Sequence, residues 1–509
     1  MDKEFQAISS NPDAEADDMG ASLISEDFER RQTSPKSILL YAKTNSSIIT
    51  IGFVIFLGDS SRGVLFPVLW NLCKELGGTL KDLGYLVAMF SLGRLIVTVP
   101  LGYFCDKYRH KLSLQIAAIV LFAGSILWAN AYTTKSLAAL YVAQLLMGFG
   151  SGSLGVTRSY VVEQCKQESR TDVLAVMTAL QYAGFTCSPL IGSLFAHIGG
   201  QSSLYWSYAL PAYFLGLLVW YSLIAISTCL EDIQLVPKNP IPPQASVRSP
   251  AFSVLSATEI TKIVGTLIVL NVTTKGSISV YETMGMEIAT TDYAISNVLF
   301  GSIVTICGSV GFVNLLFFKQ IWTSRFNDVE LILIMTMIMI LGQLIYFAYW
   351  GKKPTVGAFL VCIVLFYAIG YPVGHTAVLG AFSKIQKSGP QAALLGWFAS
   401  AGSLSRIIIP LISGNLDIWY DNSPFLVVIL LLCSASVLTV HFRPRIEHLI
   451  GATEGHDDVH RSLSTREKWF VGSQMTLGLF ASIAMFVSSE GSGRGSNPFI
   501  DWIGEGDVD

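Results

Sequence analysis

The chain has 509 residues, 52% of them hydrophobic and only 14% charged, against about 25% charged in an ordinary soluble domain. Its formal net charge of −3 gives no basic surface for nucleic acid. Uncharged stretches of around 20 residues recur, each enough to cross a hydrocarbon core of ~30 Å. The composition therefore excludes a soluble enzyme, a nucleic-acid module, a collagen-like chain and a disordered chain. It leaves an all-α polytopic membrane protein.

Residues 1–44 are polar, with acids at Asp13, Glu15, Asp17, Asp18, Glu26, Asp27 and Glu29, and read as a disordered cytosolic tail without a cleavable signal. Apolar segments follow at 47–70, 84–104, 112–133, 136–161, 173–197 and 203–229, giving a first six-helix bundle over 45–229. Residues 230–257 carry Pro237, Pro240, Pro242, Pro243 and Pro250 and read as a cytosolic linker. Segments resume at 259–281, 293–318, 329–350, 356–381, 391–414 and 423–441, a second six-helix bundle over 258–442. A polar tail at 443–467 leads to an apolar run, Trp469 to Ser488 within 468–489, and then to a second disordered tail at 490–509. Arg466 and Lys468 before that run and Glu490 after it suit a thirteenth crossing; an interfacial helix is the alternative. None of the segments alternates with the two-residue period of a barrel strand.

Lysine and arginine set the orientation. Arg30, Arg31, Lys36, Lys43, Lys107, Arg109, Lys111, Lys166, Arg170, Lys319, Arg325, Lys384, Lys387, Arg443 and Arg445 fall at one end of the segments, and Lys74, Lys81, Lys135, Lys352 and Lys353 at the other. The first end is expected in the cytosol. The eight cysteines are scattered with no CxxC, so neither a metal site nor a disulfide framework is expected.

The halves repeat. Gly148-Phe-Gly-Ser-Gly-Ser-Leu-Gly155 in the fourth segment answers Gly370-Tyr-Pro-Val-Gly374 in the tenth, an offset of 222. Pro189-Leu-Ile-Gly192 answers Pro410-Leu-Ile-Ser-Gly414 at an offset of 221. Equal offsets in the same direction describe two parallel halves, as in major-facilitator transporters.

Between the second and third segments stands Gly102-Tyr-Phe-Cys-Asp106-Lys107-Tyr-Arg109-His110-Lys111. It resembles the major-facilitator signature G-x-x-x-D-[RK]-x-G-[RK]-[RK], with Arg109 where glycine is usual and His110 where a basic residue is usual. Gly102, Asp106, Lys107 and Lys111 are expected to form a gate, with Glu163 at the neighbouring end of the fourth segment; an ordinary basic loop is the plainer reading. The corresponding connection of the second half, Lys319 to Asp328, is degenerate. Gly184-x-x-x-Ser188-Pro189-x-x-Gly192 resembles an antiporter motif with serine for two glycines; a proline kink with small-residue packing explains it equally.

A charge at a helix centre costs about 2.5–3.5 kcal/mol on insertion scales. The segments nonetheless hold Asp59, Arg62, Arg94, Arg158, Lys275, Glu282, His375 and Arg406. Arg158, Arg406 and Arg94, with Tyr160 and Tyr371, are expected to bind solute, since forked guanidinium groups suit anions. Asp59 and Glu282 fall at nearly equivalent places in the two halves and are the expected proton-coupling pair. Quieter readings are an Asp59–Arg62 intrahelical pair, a snorkelling Lys275, an interfacial Glu282 and a hydrogen-bonded bundle histidine at His375.

Further strings narrow the family. Gly84-Tyr-Leu-Val-Ala-Met-Phe-Ser-Leu-Gly93, Gly152-Ser-Leu-Gly-Val-Thr-Arg158-Ser-Tyr160, Val280-Tyr-Glu282-Thr283, Gly370-Tyr-Pro372 and Gly396-Trp-Phe-Ala-Ser-Ala-Gly-Ser-Leu-Ser-Arg406 occur in order. They resemble the endolysosomal major-facilitator family associated with neuronal ceroid lipofuscinosis, related to vacuolar phosphate transporters bearing an SPX domain. The resemblance runs from about residue 50 to 440 and implies an endolysosomal or vacuolar membrane, an anionic solute, and site positions at Arg158, Glu282 and Arg406. A 44-residue tail holds no SPX domain, and the Trp350-Gly-Lys-Lys-Pro-Thr connection is short where those relatives have a glycosylated lumenal loop. The sequons at Asn45 and Asn271 fall on the cytosolic side and inside a segment, so neither is expected to be glycosylated. Leu23-Ile24 lacks the acid of a dileucine signal.

The sequence reading is thus a monomeric secondary transporter of a small, anionic solute, working by alternating access with protons as partner and needing no cofactor. An anion (chloride) channel on the same fold and a non-transporting scaffold are the alternatives. No Walker loop, zinc motif or nucleophile elbow marks an enzyme.

Overall fold

A computed structural model describes residues 46–165, 167–231, 257–291, 293–295, 297–347, 355–385, 390–417 and 423–450. The tail 1–44, most of the linker 230–257, the apolar run 468–489 and the final tail 490–509 lie outside the described residues. All regular structure among the described residues is helical, and twelve helices or helix pairs are long and apolar enough to span a membrane. The first six are Ser46–Glu75, Asp82–Lys107, His110–Ala129, Leu137–Glu163, Gln167–Gly200 and Leu204–Cys229. The second six are Thr258–Glu282, Leu299–Leu316, Asp328–Ile345, Val356–Ser383, Ala392–Ile409 and Phe425–Ile450. The expected six-plus-six order is present. One boundary moves: the last helix, Ser423–Ile450, carries past 442, because Arg443 pairs with Glu447 one turn on and with Glu330 of the ninth span.

The first and fourth spans are interrupted. The first stops at Gly63 and resumes over Phe66–Glu75 with Pro67 in its opening turn, where a missing N–H costs least. The fourth breaks between Ser151 and Leu154, at Gly152 and Ser153. The tenth answers the fourth with a π-helical stretch, Leu365–Gly370, leading into Tyr371–Ser383. Such irregularities mark places where a long helix can bend. They coincide with the repeated Gly148 and Gly370 strings.

Each half has its own apolar core, one around Phe90, Trp128, Met147 and Leu215, the other around Tyr281, Phe359, Phe366 and Phe425. A third apolar cluster joins the halves at the lysine- and arginine-rich end, where Val162, Leu174 and Ala179 meet Val378, Phe382 and Phe398. The halves therefore touch closely at the basic end.

Candidate functional site

Asp59 is the hub of the first half. Its carboxylate accepts from Arg94 Nη2 at 2.7 Å, and Arg94 also donates to the Gly58 carbonyl at 3.2 Å and to Ser151 Oγ at 3.1 Å. The other carboxylate oxygen accepts from Gln181 Nε2, and Gln181 Oε1 accepts from Arg158 Nη2 at 2.7 Å. One buried carboxylate thus ties the first, second, fourth and fifth spans. Asp59, Arg94 and Arg158 are 7%, 6% and 1% exposed, so the charges are held by each other and not by water.

The second half has a simpler arrangement. Glu282 Oε1 accepts from Arg406 Nη2 at 3.0 Å, joining the seventh and eleventh spans, with side-chain exposures of 11% and 15%. Lys275, one helical face with Glu282, is 6% exposed and lies over Gly402, where a methyl group would stand 2.7 Å from Nζ. Tyr182, Tyr371, His375 and Phe398 form a run of rings spaced 5.6–6.0 Å apart.

Between the halves, Arg62, Arg94, Lys275 and Arg406 with Ser91 and Ser403 line a narrow cavity of about 10 Å³, room for little more than a water molecule. Arg62 lies over the Phe66 ring, 5.3 Å from its centroid, and Arg94 over Phe90 at 5.2 Å. Near this cavity, Arg62 Nε, Arg158 Nη1 and Arg406 Nε are buried without a hydrogen bond among the described residues.

Several expected placements change. Asp59 does not pair with Arg62; Arg62 turns to Phe66 beyond the break at Gly63, and Arg94 from the second span takes its place. Tyr160 is not brought to the cavity: its hydroxyl donates to the Glu231 carbonyl at 2.8 Å and its ring meets His110 edge-on near the basic end. Arg94 lines the cavity but spends its donors on Asp59, Gly58 and Ser151. Lys275 is buried inside the protein and does not reach outward, and Glu282 is paired with Arg406. Gln181, uncharged, is not among the residues that the sequence singles out. A lone glutamine inside an apolar helix is itself a costly group, and that was its only signal.

The basic end is shut by backbone capping. Asp106 accepts from the Ala392 and Ala393 amides, both at 3.0 Å, at the start of the eleventh span. Glu163 accepts from the adjacent Gln391 amide at 2.9 Å. Two acids from the first half therefore satisfy the free N–H groups of a helix in the second. Close approach needs the glycines: a methyl group on Gly102 would stand 2.6 Å from the Ala392 carbonyl, and one on Gly155 2.9 Å from Gly396. On the opposite flank Arg170 donates to the Ser383 carbonyl at 2.7 Å, and Asp328 accepts from Thr171 at 3.0 Å and from Lys384 at 2.8 Å. The connection called degenerate thus supplies Asp328 to the start of the fifth span. Lys107 lies over Tyr108 and is exposed, and Lys111 is half-buried. In the antiporter-like string, methyl groups on Gly184 and Gly192 would strike the Phe56 and Val64 carbonyls, so those positions pack the fifth span on the first.

The Major Facilitator Superfamily family model matches residues 51–286. A solved structure titled as a Major Facilitator Superfamily transporter, FucP, in the outward conformation superposes with a TM-score of 0.60 at 15% identity, covering 78% of this chain and 98% of that one. The chain has the major-facilitator fold. It is also similar to the quinolone resistance protein NorA of Staphylococcus aureus, 25% identical over 399 residues, 76% of this chain and 93% of the relative. Major facilitator superfamily domain-containing protein 8 of Xenopus laevis matches at 27% over 157 residues, 30% of this chain and 31% of the relative. The major-facilitator fold is a multi-pass membrane architecture.

Proposed function

We propose that the protein is a secondary transporter that carries a small anion through the cavity between its halves by alternating access. The observation that carries this reading is the charge inventory. Arg62, Arg94, Arg158, Lys275 and Arg406 gather around only two carboxylates, Asp59 and Glu282. A cavity with surplus cations and unused guanidinium donors favours an anionic guest. Arg158 and Arg406 are the solute-binding groups, with Tyr371 beside them in the ring stack.

Glu282 is proposed as the proton-coupling site. It and the solute compete for Arg406, so an anion that takes Arg406 frees Glu282 to accept a proton that travels with it. Asp59, engaged by Arg94 and Gln181, holds the first half in shape. Asp106 and Glu163 serve as the gate. An endolysosomal or vacuolar membrane is proposed from the family resemblance alone, and each copy, with its own cavity, is proposed to act as a monomer.

The test is reconstitution in liposomes with a panel of labelled anions under an imposed pH gradient. Uptake of at least one anion, lost in Arg158→Gln and Arg406→Gln, is the expected result. Retention of every flux in both variants would refute the reading and favour a scaffold. Flux at channel rates, indifferent to the gradient, would favour a pore.

A further inference from the structure

Several buried glycines of the first half stand where two backbones meet. A methyl group on Gly93, Gly148, Gly184 or Gly192 would strike the carbonyl oxygen of Leu145, Phe90, Phe56 or Val64 respectively. Gly58 is different. It is buried inside the first span, yet a methyl group there would meet nothing within 4 Å, and no other buried glycine among the described residues has that freedom. Glycine inside a helix loses more chain freedom on folding than alanine would, so a position with room for alanine needs another reason to hold glycine. The room beside Gly58 is part of a void of about 20 Å³, lined also by Leu114 and Leu121 of the third span, Gly150 and Ser153 of the fourth, and Ser222 of the sixth. Every residue around it is buried and belongs to the first half.

The break in the fourth span opens onto this void, since Gly150 and Ser153 flank Gly152. The short helix beyond the break, Leu154–Glu163, makes its gate contacts with the second half: Gly155 lies against Gly396, and Glu163 accepts from the Gln391 amide. We propose that Leu154–Glu163 is a hinged arm. When the basic end opens, it swings about Gly152 and Ser153, away from the eleventh span and into the void, and Gly58 keeps that space clear. This inference rests on the alternating-access reading above. Opening requires Gly155 and Glu163 to part from Gly396 and Gln391. Protein interiors are close-packed, so a helix that withdraws from one neighbour moves only where there is space behind it. The break supplies the pivot, because the hydrogen-bond ladder of the fourth span is interrupted there. The void supplies the space. Two halves rocking as rigid bodies would use neither.

The experiment uses the full chain in detergent and needs no solute. Gly58→Ala should raise the melting temperature by about 2 °C, as alanine does in a helix with room for its methyl group. The same methyl group would overpack the open form. Hydrogen exchange at the Ala392 and Ala393 amides, which Asp106 holds while the basic end is closed, should therefore slow by about tenfold. Gly265→Ala is the control, at an exposed and equally open position of the seventh span. It should leave that exchange unchanged. Wild-type exchange rates in Gly58→Ala would show rigid-body rocking and overturn the proposal. A lower melting temperature, or failure to fold, would show that the space is not free and overturn it equally. Ser222→Thr adds its methyl group from the sixth span and should slow the same two amides; wild-type rates there would also refute the hinge. Amides that never exchange in the wild type would mean a basic end that does not open, and would sink the alternating-access reading together with this inference.

Discussion

The two lead carboxylates occupy matching places in the halves and live in different surroundings. Asp59 is fixed by two side chains from the second and fifth spans and, through Gln181, by a third from the fourth. Glu282 has Arg406, although the two carboxylate side chains are about equally buried, 10% exposed for Asp59 and 11% for Glu282. A carboxylate that organises four helices is part of the frame. One held by a single guanidinium can be exchanged for a guest. The contrast teaches that a two-fold repeat need not divide its labour equally: the buried carboxylate of the first half ties four spans together, and that of the second ties two.

The largest effect expected from breaking that contrast is on Asp59. Asp59→Ala leaves Arg94 and Arg158 buried without compensation, and should destabilise the fold by about 3–5 kcal/mol, the usual loss when one partner of a buried pair is removed. Thermal unfolding in detergent would read it, and an unchanged melting temperature would deny Asp59 its structural role. Next is the second half's own pair. Glu282→Gln should leave stability nearly intact, because Arg406 faces the cavity, yet it should flatten the dependence of transport on pH. A full pH response in the variant would remove Glu282 as the coupling group.

A smaller effect is expected at the gate. Asp106→Asn retains an acceptor but loses the charge at the start of the eleventh span, weakening basic-end closure by about 1 kcal/mol. Faster hydrogen exchange at Ala392 and Ala393 is the measure. The smallest concerns Lys107, which lies exposed over Tyr108. Lys107→Ala should change stability and transport by less than about 0.5 kcal/mol, as surface substitutions do. A large loss of transport would restore Lys107 to the gate.

Much of the frame could be read in advance. Each segment's apolar character is a local sum, so the six-plus-six pattern was visible, and Gly148-Phe-Gly-Ser-Gly and Gly370-Tyr-Pro-Val-Gly marked the repeat at the places where the structure interrupts the fourth and tenth helices. The buried charges were visible too, because any ionisable residue inside such a segment stands out. Their partners were not. Arg62 is three residues from Asp59 and Arg94 is thirty-five away, yet the distant one forms the pair. Gln181 carries no charge, so an inventory of charges passed over the residue that links Asp59 to Arg158. Tyr160 sat in the right string beside Arg158, but on a helix turn that faces His110.

Hydrophobicity, the placement of lysine and arginine, and the repeat spacing are properties of one stretch at a time, and they alone determined that the chain is a helical membrane protein of two parallel halves. Which charges neutralise one another depends on how each helix is rotated and which helix lies beside it. Those relations are decided only when glycine faces such as Gly102, Gly155 and Gly184 let backbones approach, and no single segment contains them. The surplus of unmatched cations at the centre is therefore a fact of the tertiary structure, though every residue in it could be named from the sequence.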